Sequence, residues 1–416
     1  MNKHKVVIIG GGFGGLHVAL ELRDSRYEVT LIDKTNYHLF QPLLYQVATA
    51  ALSPADIAVP IRSIFSRNKN IKVLMDEAIS IDRTNKKVIL QDGELEFDSL
   101  IISTGSSHSY FGNDTWEKYA PGLKTLSDGL LIREKILKSL EQAEKESDVN
   151  KRKKYLTFVI VGGGPTGVEM AGAIAEIAKT SLMRDFRNIN AQETKIILIE
   201  ALHRILSTYQ EELSFKAQKA LEKMEVELKL NTKVIDITSE GVKTVREFLE
   251  TTNVIWAAGN TVSPIVKSLN IETDRAGRAM VNADLSINGD PNIFVIGDAA
   301  LVIDDDGRPV PGVAQGAIQA GKYVGKLIRN KIPKSERNKF VYVDKGNMAS
   351  IGRAKAVAEI KKMKLSGFIA WVFWCFIHIF FLIGFRNRFR VMLEWMWYYI
   401  TFKRGIRLIV GKSRER

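Results

Sequence analysis

The residues best suited to chemistry are two sets of glycines and the acids that follow them. In KVVIIGGGFGGLHVALEL, Gly10, Gly12 and Gly15 match G-x-G-x-x-G, with Gly11, Phe13 and Gly14 completing the turn. The first glycine of such a turn bends the chain, the second admits a pyrophosphate, and the third seats a helix on the preceding strand. The next strand, YEVTLIDK, ends in Asp33, at the spacing from which a carboxylate accepts hydrogen bonds from a ribose. The pattern recurs at Gly162, Gly164 and Gly167 in LTFVIVGGGPTGVEMAG, where Pro165 suits a first helical turn. Its acid is Glu200, at the end of KIILIE. The gap to Glu200 exceeds the usual twenty or so residues, which predicts a longer helix or an insertion. A carboxylate there accepts from a 2′-hydroxyl and repels a 2′-phosphate, so NADH is favoured over NADPH. Glu169 reads as lying in the first turn of the second glycine helix. A helix dipole would favour an acid there by about 0.3–1 kcal/mol. Beside a pyrophosphate, however, it is a like charge, and a role in holding the nicotinamide end and relaying a proton is the stronger expectation.

These residues need strands and helices to hold them. Each glycine turn sits between a buried strand and a helix, the βα unit of a parallel sheet. NIFVIGDAA is a third short strand, ending at Asp298. LIISTGSS (Thr104, Gly105) and NVIWAAGN (Ala258, Gly259) read as strands running into loops, and EAISID as a strand beginning near Ala78. Residues 130–146 carry an amphipathic pattern that predicts a half-exposed helix bridging the domains. Gln315 and Gln319 sit at helical spacing after the prolines at 309 and 311. The fold expected is α/β, with two Rossmann-like dinucleotide-binding domains, in a chain long enough for two or three domains.

Composition narrows the chemistry. Cys375 is the single cysteine, which leaves no disulfide and no Cys-x-x-Cys pair. Of the net +13, most falls after residue 360, where twelve Lys and Arg face only Glu394 and Glu415. Residues 367–385, GFIAWVFWCFIHIFFLIGF, hold no acid, Lys or Arg. Cations beside such a run point to anionic lipid at about 1 kcal/mol each, not to nucleic acid. The N-terminus, MNKHKVVIIGGGFGG, does not read as a secretory signal, so the enzyme body is expected in the cytoplasm. Asp304, Asp305, Asp306 and Gly307 lack the spacing of a calcium loop. His378 has no second ligand at i±3 or i±4, so no metal is expected.

Together these motifs resemble the two-dinucleotide-binding-domain flavoproteins. That resemblance implies non-covalent FAD at the first turn, with Gly10 to Gly15, Asp33, Lys34, Ala78, Thr104, Gly105 and Asp298 around it. It gives NADH to Gly162, Gly164, Gly167, Glu169, Glu200, Ala258 and Gly259. Within this superfamily, the lone cysteine disfavours disulfide reductases and sulfide:quinone oxidoreductases. Ala314-Gln315-Gly316-Ala317-Ile318-Gln319 is similar to the AQxxxQ signature of type II NADH:quinone oxidoreductases, as are MASIGRAKAVA and the tail. The resemblance places that segment at FAD, with Gln315 and Gln319 also toward a quinone. Gly316 is smaller than the aliphatic residue expected there. The implied reaction passes hydride from NADH to FAD and then two electrons to a membrane quinone in a respiratory chain, without proton pumping. An alternative is a soluble NADH-dependent reductase of a protein electron carrier.

Four parts are expected: 1–125 and 261–335 for FAD, an inserted NADH domain at 126–260, and a membrane-associated helical module at 336–416. A crossing at 367–385 would carry nine Lys and Arg to the far side, against the positive-inside rule. The run is therefore read as a helix lying on the cytoplasmic face of the cell membrane, with Phe376 and Ile379 toward the quinone. Homodimers are frequent in the family, and the resemblance extends that expectation here.

Overall fold

The structure is a computed structural model that describes residues 3–178, 185–361, 363–401 and 406–409. Lys362, Lys403, Arg404, Lys412, Arg414, Glu415 and Arg416, counted above in the tail's charge, lie outside the described residues. The chain forms two compact units. The first is Met1–Leu39, Ala58–Ser107 and Asn260–Asp344; the second is Phe40–Ile57, His108–Gly259 and Lys345–Arg416. The four-part division by motif therefore differs from the division by packing. The segments 40–57, 108–125 and 345–416 fall in the unit that holds the second glycine turn.

The first unit is built on a six-stranded sheet. Its order is Ser286–Ile287, Asp290–Val295, Ser99–Ile102, Lys5–Ile9, Glu28–Asp33 and Ile71–Met75. All pairs are parallel except the first. Strands such as KVVII are buried on both faces, which is why they read as unbroken apolar runs. A three-stranded antiparallel sheet beginning at Ala78–Asp82 packs into the same core. Helix Phe13–Glu21 lies against helix Ala314–Arg329. A side chain at Gly321 would collide with the carbonyl of Gly14, so glycine there sets the close approach.

The second unit repeats the plan with four parallel strands, in the order Val226–Lys229, Lys195–Ile199, Thr157–Val161 and Asn253–Trp256. The amphipathic helix covers Leu126–Lys145, four residues earlier than its pattern suggests. Thr125 and Asp128 form a capping box that sets this start, a feature worth about 1 kcal/mol. The second nucleotide helix is Pro165–Glu176. The long gap to Glu200 is filled after it, with a one-turn helix at Ala191–Glu193.

After Lys345 comes a three-stranded antiparallel sheet, Asn347–Ser350, Ala356–Ile360 and Met363–Gly367. Helices Phe368–Phe381 and Phe385–Thr401 follow. The apolar run at 367–385 is thus not one helix. It breaks after Phe381, and Gly384 takes φ 86°. No helix among the described residues is long and apolar enough to cross a membrane.

Candidate functional site

In each unit the glycine turn leaves the C-terminal end of a strand with parallel neighbours on both sides, the crevice where open α/β sheets bind nucleotides. In the first, Gly10 has φ 100°, and a Cβ there would sit 2.5 Å from the Ser103 carbonyl oxygen. A Cβ at Gly15 would strike the Gly10 oxygen, whereas one at Gly12 would meet nothing within 4 Å. The middle glycine faces open space, as a phosphate-approach position should. Gly12 is also the N-cap of Phe13–Glu21 and gives no side-chain cap, so the first N–H groups remain available to an anion.

Asp33 holds this turn. Its Oδ2 accepts from Gly11 N at 2.6 Å, and its Oδ1 accepts from Thr35 N and Oγ1, both at 2.7 Å. A carboxylate has about four acceptor sites, which leaves one for a ribose hydroxyl. Lys34 beside it is exposed. Gly105, with φ 67°, follows Thr104, and Ser106 Oγ donates to Asp298 Oδ2 at 2.8 Å. Ala78 opens its strand opposite Leu90.

Among the described residues of this unit, three buried polar side-chain atoms have no partner within the protein: His38 Nε2, Thr104 Oγ1 and Gln315 Oε1. Buried groups of this kind cost about 1–3 kcal/mol unless something pairs with them. Together with the open Gly12 cradle, they fit a bound FAD. The two glutamines of the AQxxxQ segment differ. Gln319 donates Nε2 to Val343 O at 3.0 Å and accepts from Val343 N at 2.9 Å, tying its helix to the following chain. Gln315 alone keeps a free acceptor. Gly316 does not widen a pocket, because a Cβ there would press on Pro311 O at 3.3 Å. Ala317 packs its Cβ 3.3 Å from where one at Gly297 would lie; Ala314 opens the helix and Ile318 is half-buried.

The second turn matches the first. Gly162 has φ 112° and lies against Ala257, Gly164 is open, and Gly167 fits only without a side chain. Gly164 caps Pro165–Glu176 without a side-chain bond. Glu200 Oε2 accepts from Gly163 N at 2.6 Å and Oε1 from Leu202 N at 2.8 Å. Gly259 needs φ 72°, and a Cβ there would approach Ser109 O at 2.6 Å; Ala258 beside it is half-buried.

Glu169 is the fifth residue of its helix, beyond the first turn, so stabilisation by the helix end does not explain it. Its Oε1 accepts from Ser350 N at 3.2 Å. Burial pushes its pKa up to about 8, against smaller opposing effects of Ser350 and Trp374. The Trp374 Nε1 stops short of a full hydrogen bond. The carboxyl is therefore mostly protonated at neutral pH and can act as a donor.

The sequence did not point to the groups around Glu169. Tyr45 Oη lies 2.8 Å from Ser350 Oγ, Gln46 Nε2 donates to Tyr45 Oη at 3.0 Å, and Trp395 Nε1 donates to Gln46 Oε1 at 2.7 Å. Tyr45 and Gln46 sit on the short helix Leu44–Ala48, inside an apolar stretch with no motif of its own. His38 was also missed. Its Nδ1 donates to the Gly11 carbonyl at 2.9 Å, and burial lowers its pKa to about 4.

In the tail, Phe376 is 66% exposed and Ile379 half-buried. Both belong to the second unit, Gln315 and Gln319 to the first. His378 donates Nδ1 to Trp374 O at 2.7 Å and stacks on the Trp374 ring. Burial raises the Cys375 thiol to about 12, so it stays protonated. No group of His, Cys, Asp and Glu among the described residues could hold a metal. Asp304 closes an exposed turn by accepting from Asp306 N and Arg308 N.

Comparison with known proteins agrees with this arrangement. Residues 4–321 match the family described as pyridine nucleotide-disulphide oxidoreductase, and residues 345–403 match the NDH2 C-terminal domain. The type II NADH:quinone oxidoreductase Ndh of Mycobacterium tuberculosis is 42% identical, covering 97% of this chain and 89% of its own. The type II NADH:quinone oxidoreductase of Staphylococcus saprophyticus is 29% identical over 88% of this chain and 92% of its own. NDH2 from Plasmodium falciparum, solved in complex with NADH, shares the fold, with a TM-score of 0.90 at 23% identity over 99% of this chain and 100% of that one. With two nucleotide turns, one cysteine and this C-terminal module, the chain belongs to the type II NADH:quinone oxidoreductase family.

Proposed function

We propose that the reaction of this family runs here on the residues described above. The chain oxidises NADH with FAD and passes two electrons to a quinone. FAD, when bound, accepts hydride and hands on its electrons. The observation that carries this reading is the pair of uncapped helix N-termini, each with a carboxylate 2.6 Å from its glycine turn. Two such sites in one chain suit two dinucleotides.

The first turn, Asp33 and Asp298 hold FAD, with Thr104 and Gln315 supplying the buried polar contacts. Gln315 also offers its amide to the quinone oxygen without titrating. Glu200 holds the ribose of NADH. Glu169 lies on the helix of that second turn as a neutral acid, suited to hold the nicotinamide end and supply a proton. The exposed Phe376, Phe380, Trp397 and Ile400 give the two tail helices an apolar surface. With the cations beside them, this surface rests on anionic lipid at the cytoplasmic face of the membrane, as a peripheral attachment. The membrane quinone then reaches the enzyme along the tail, and a second copy of the chain completes a homodimer.

Purified protein tests this directly. It should carry FAD and oxidise NADH with a short-chain benzoquinone. In sealed vesicles it should generate no proton gradient. Absence of quinone-dependent NADH oxidation in flavin-loaded protein would overturn the reading. Rapid reduction of a protein electron carrier without vesicle binding would favour the carrier-reductase alternative.

A further inference from the structure

The tight turn at residues 110–113 departs from the usual rules of chain geometry. Asn113 N donates to Tyr110 O at 3.1 Å, and the two residues between them, Phe111 and Gly112, have φ 53° and 88°. Two positive central φ values mark a type I′ turn, whose first central position suits Asn, Asp or Gly. A bulky aromatic residue is strained there. Burial does not offset that strain, because Phe111 is 69% exposed. Its ring meets the Trp256 ring at 64°, with the centroids 6.1 Å apart. A strained backbone thus holds an aromatic ring in the open.

The place of that ring is specific. In the sheet of the second unit the chain steps outward from Thr157–Val161 to Lys195–Ile199 and Val226–Lys229. It then returns to Asn253–Trp256 on the other side. The reversal falls between Thr157–Val161 and Asn253–Trp256, and open α/β sheets bind dinucleotides at such a switch point. The loops leaving these two strands meet. Ala257 N donates to Val161 O at 2.8 Å, and Gly162 lies against Ala257. Phe111 stands at the edge of this crevice. A Cβ at Gly259 would come 2.7 Å from the Phe111 Cζ, so glycine at 259 lets the ring lie against the backbone. Ser109 fixes the turn to the same strand end. Its carbonyl accepts from Trp256 Nε1 at 3.0 Å, and its N–H donates to Gly259 O at 3.3 Å.

A dinucleotide laid across these strands has a direction. Glu200 follows the strand on one side of the glycine turn and takes the adenosine ribose, and the turn itself takes the pyrophosphate. The nicotinamide half then falls on the opposite side, over Ala258 and Gly259. The geometry points to Phe111 as an aromatic platform that packs against the nicotinamide base of NADH. This rests on the reading of the second glycine turn as the NADH site. Covering an exposed ring with a flat heterocycle removes apolar surface from water and adds a ring–ring contact.

Steady-state kinetics of flavin-loaded protein with NADH and a water-soluble benzoquinone tests this. Phe111→Asn suits the turn and removes the ring. Its melting temperature should equal or exceed that of the wild type. Its KM for NADH should rise about five- to tenfold, and its KM for the quinone should stay within about twofold. Phe111→Tyr, which keeps a ring, should hold the wild-type KM for NADH. Inhibition by ADP-ribose, which lacks the nicotinamide, should be as strong in Phe111→Asn as in the wild type. An unchanged KM for NADH, or equal weakening of NADH and ADP-ribose, would overturn the contact. A melting temperature well below that of the wild type, or a change of oligomeric state, would make the ring a structural or intersubunit prop and also overturn it. Gly164→Ala separates this proposal from the reading beneath it, because a Cβ there meets nothing within 4 Å and the variant should fold. If Gly164→Ala raises the KM for NADH while Phe111→Asn does not, only the role of Phe111 fails. If Gly164→Ala leaves that KM unchanged, the placement of NADH at the turn fails.

Discussion

The side chain of Glu200 grips the backbone N–H of Gly163 at 2.6 Å, and Asp33 grips Gly11 at the same distance. Each acid therefore does two jobs. It clamps the strand end to the glycine turn and, in the function proposed above, accepts from a ribose hydroxyl.

Glu200→Gln keeps an oxygen for Gly163 but removes the charge. The KM for NADH should rise about tenfold, or ~1.4 kcal/mol, and the preference over NADPH should narrow. Steady-state kinetics with both nucleotides checks this; an unchanged ratio would place the ribose elsewhere.

The second and third glycines of the first turn should respond differently to a methyl group. Gly12→Ala points into open space, so the protein should fold and lose FAD affinity. Gly15→Ala meets the Gly10 carbonyl and should prevent stable folding. Flavin content beside thermal melting separates the two outcomes.

The raised pKa of Glu169 carries a stability consequence with a definite sign. The unfolded carboxyl titrates near its ordinary value, about 4.3, and the folded one near 8. Between these values the folded state holds more protons, so stability falls as pH rises through that window and levels off above about 8. Glu169→Gln removes this penalty. Its melting temperature should exceed that of the wild type by more at pH 8 than at pH 5. Turnover at pH 7 should fall roughly 10²-fold with FAD content unchanged, and the wild-type loss of kcat as pH rises past about 8 should vanish.

Gln315 and Gln319 should part company. Gln315→Leu should raise the KM for quinone more than that for NADH. Gln319→Ala breaks two bonds to Val343 and should cost about 1–3 kcal/mol of stability, with little change in either KM. Equal kinetic effects of the two variants would count against direct quinone contact by Gln315.

The legible parts of this protein were those written locally. The glycine turns, their strands and the terminal acids all lie within short stretches whose spacing follows from backbone geometry. The helix bearing Gln315 was equally plain. What stayed hidden depends on contacts between distant segments. Nothing near Tyr45 announces a partner at Ser350, 305 residues away. Glu169 falls just past the first turn expected for it, because Pro165, Thr166, Gly167 and Val168 fill that turn. The break after Phe381 was missed because an apolar stretch reads alike whether or not it bends at Gly384.

That break has a mechanical consequence. A helix of 14 residues is about 21 Å long, short of the roughly 30 Å a bilayer core requires. Laid flat, two such rods joined at a bend would add area to one leaflet alone and leave the opposite leaflet undisturbed. Detaching them would drag no charge through the hydrocarbon. The enzyme's hold on the membrane would then be a reversible partition, governed by how tightly the lipids of that single leaflet are packed.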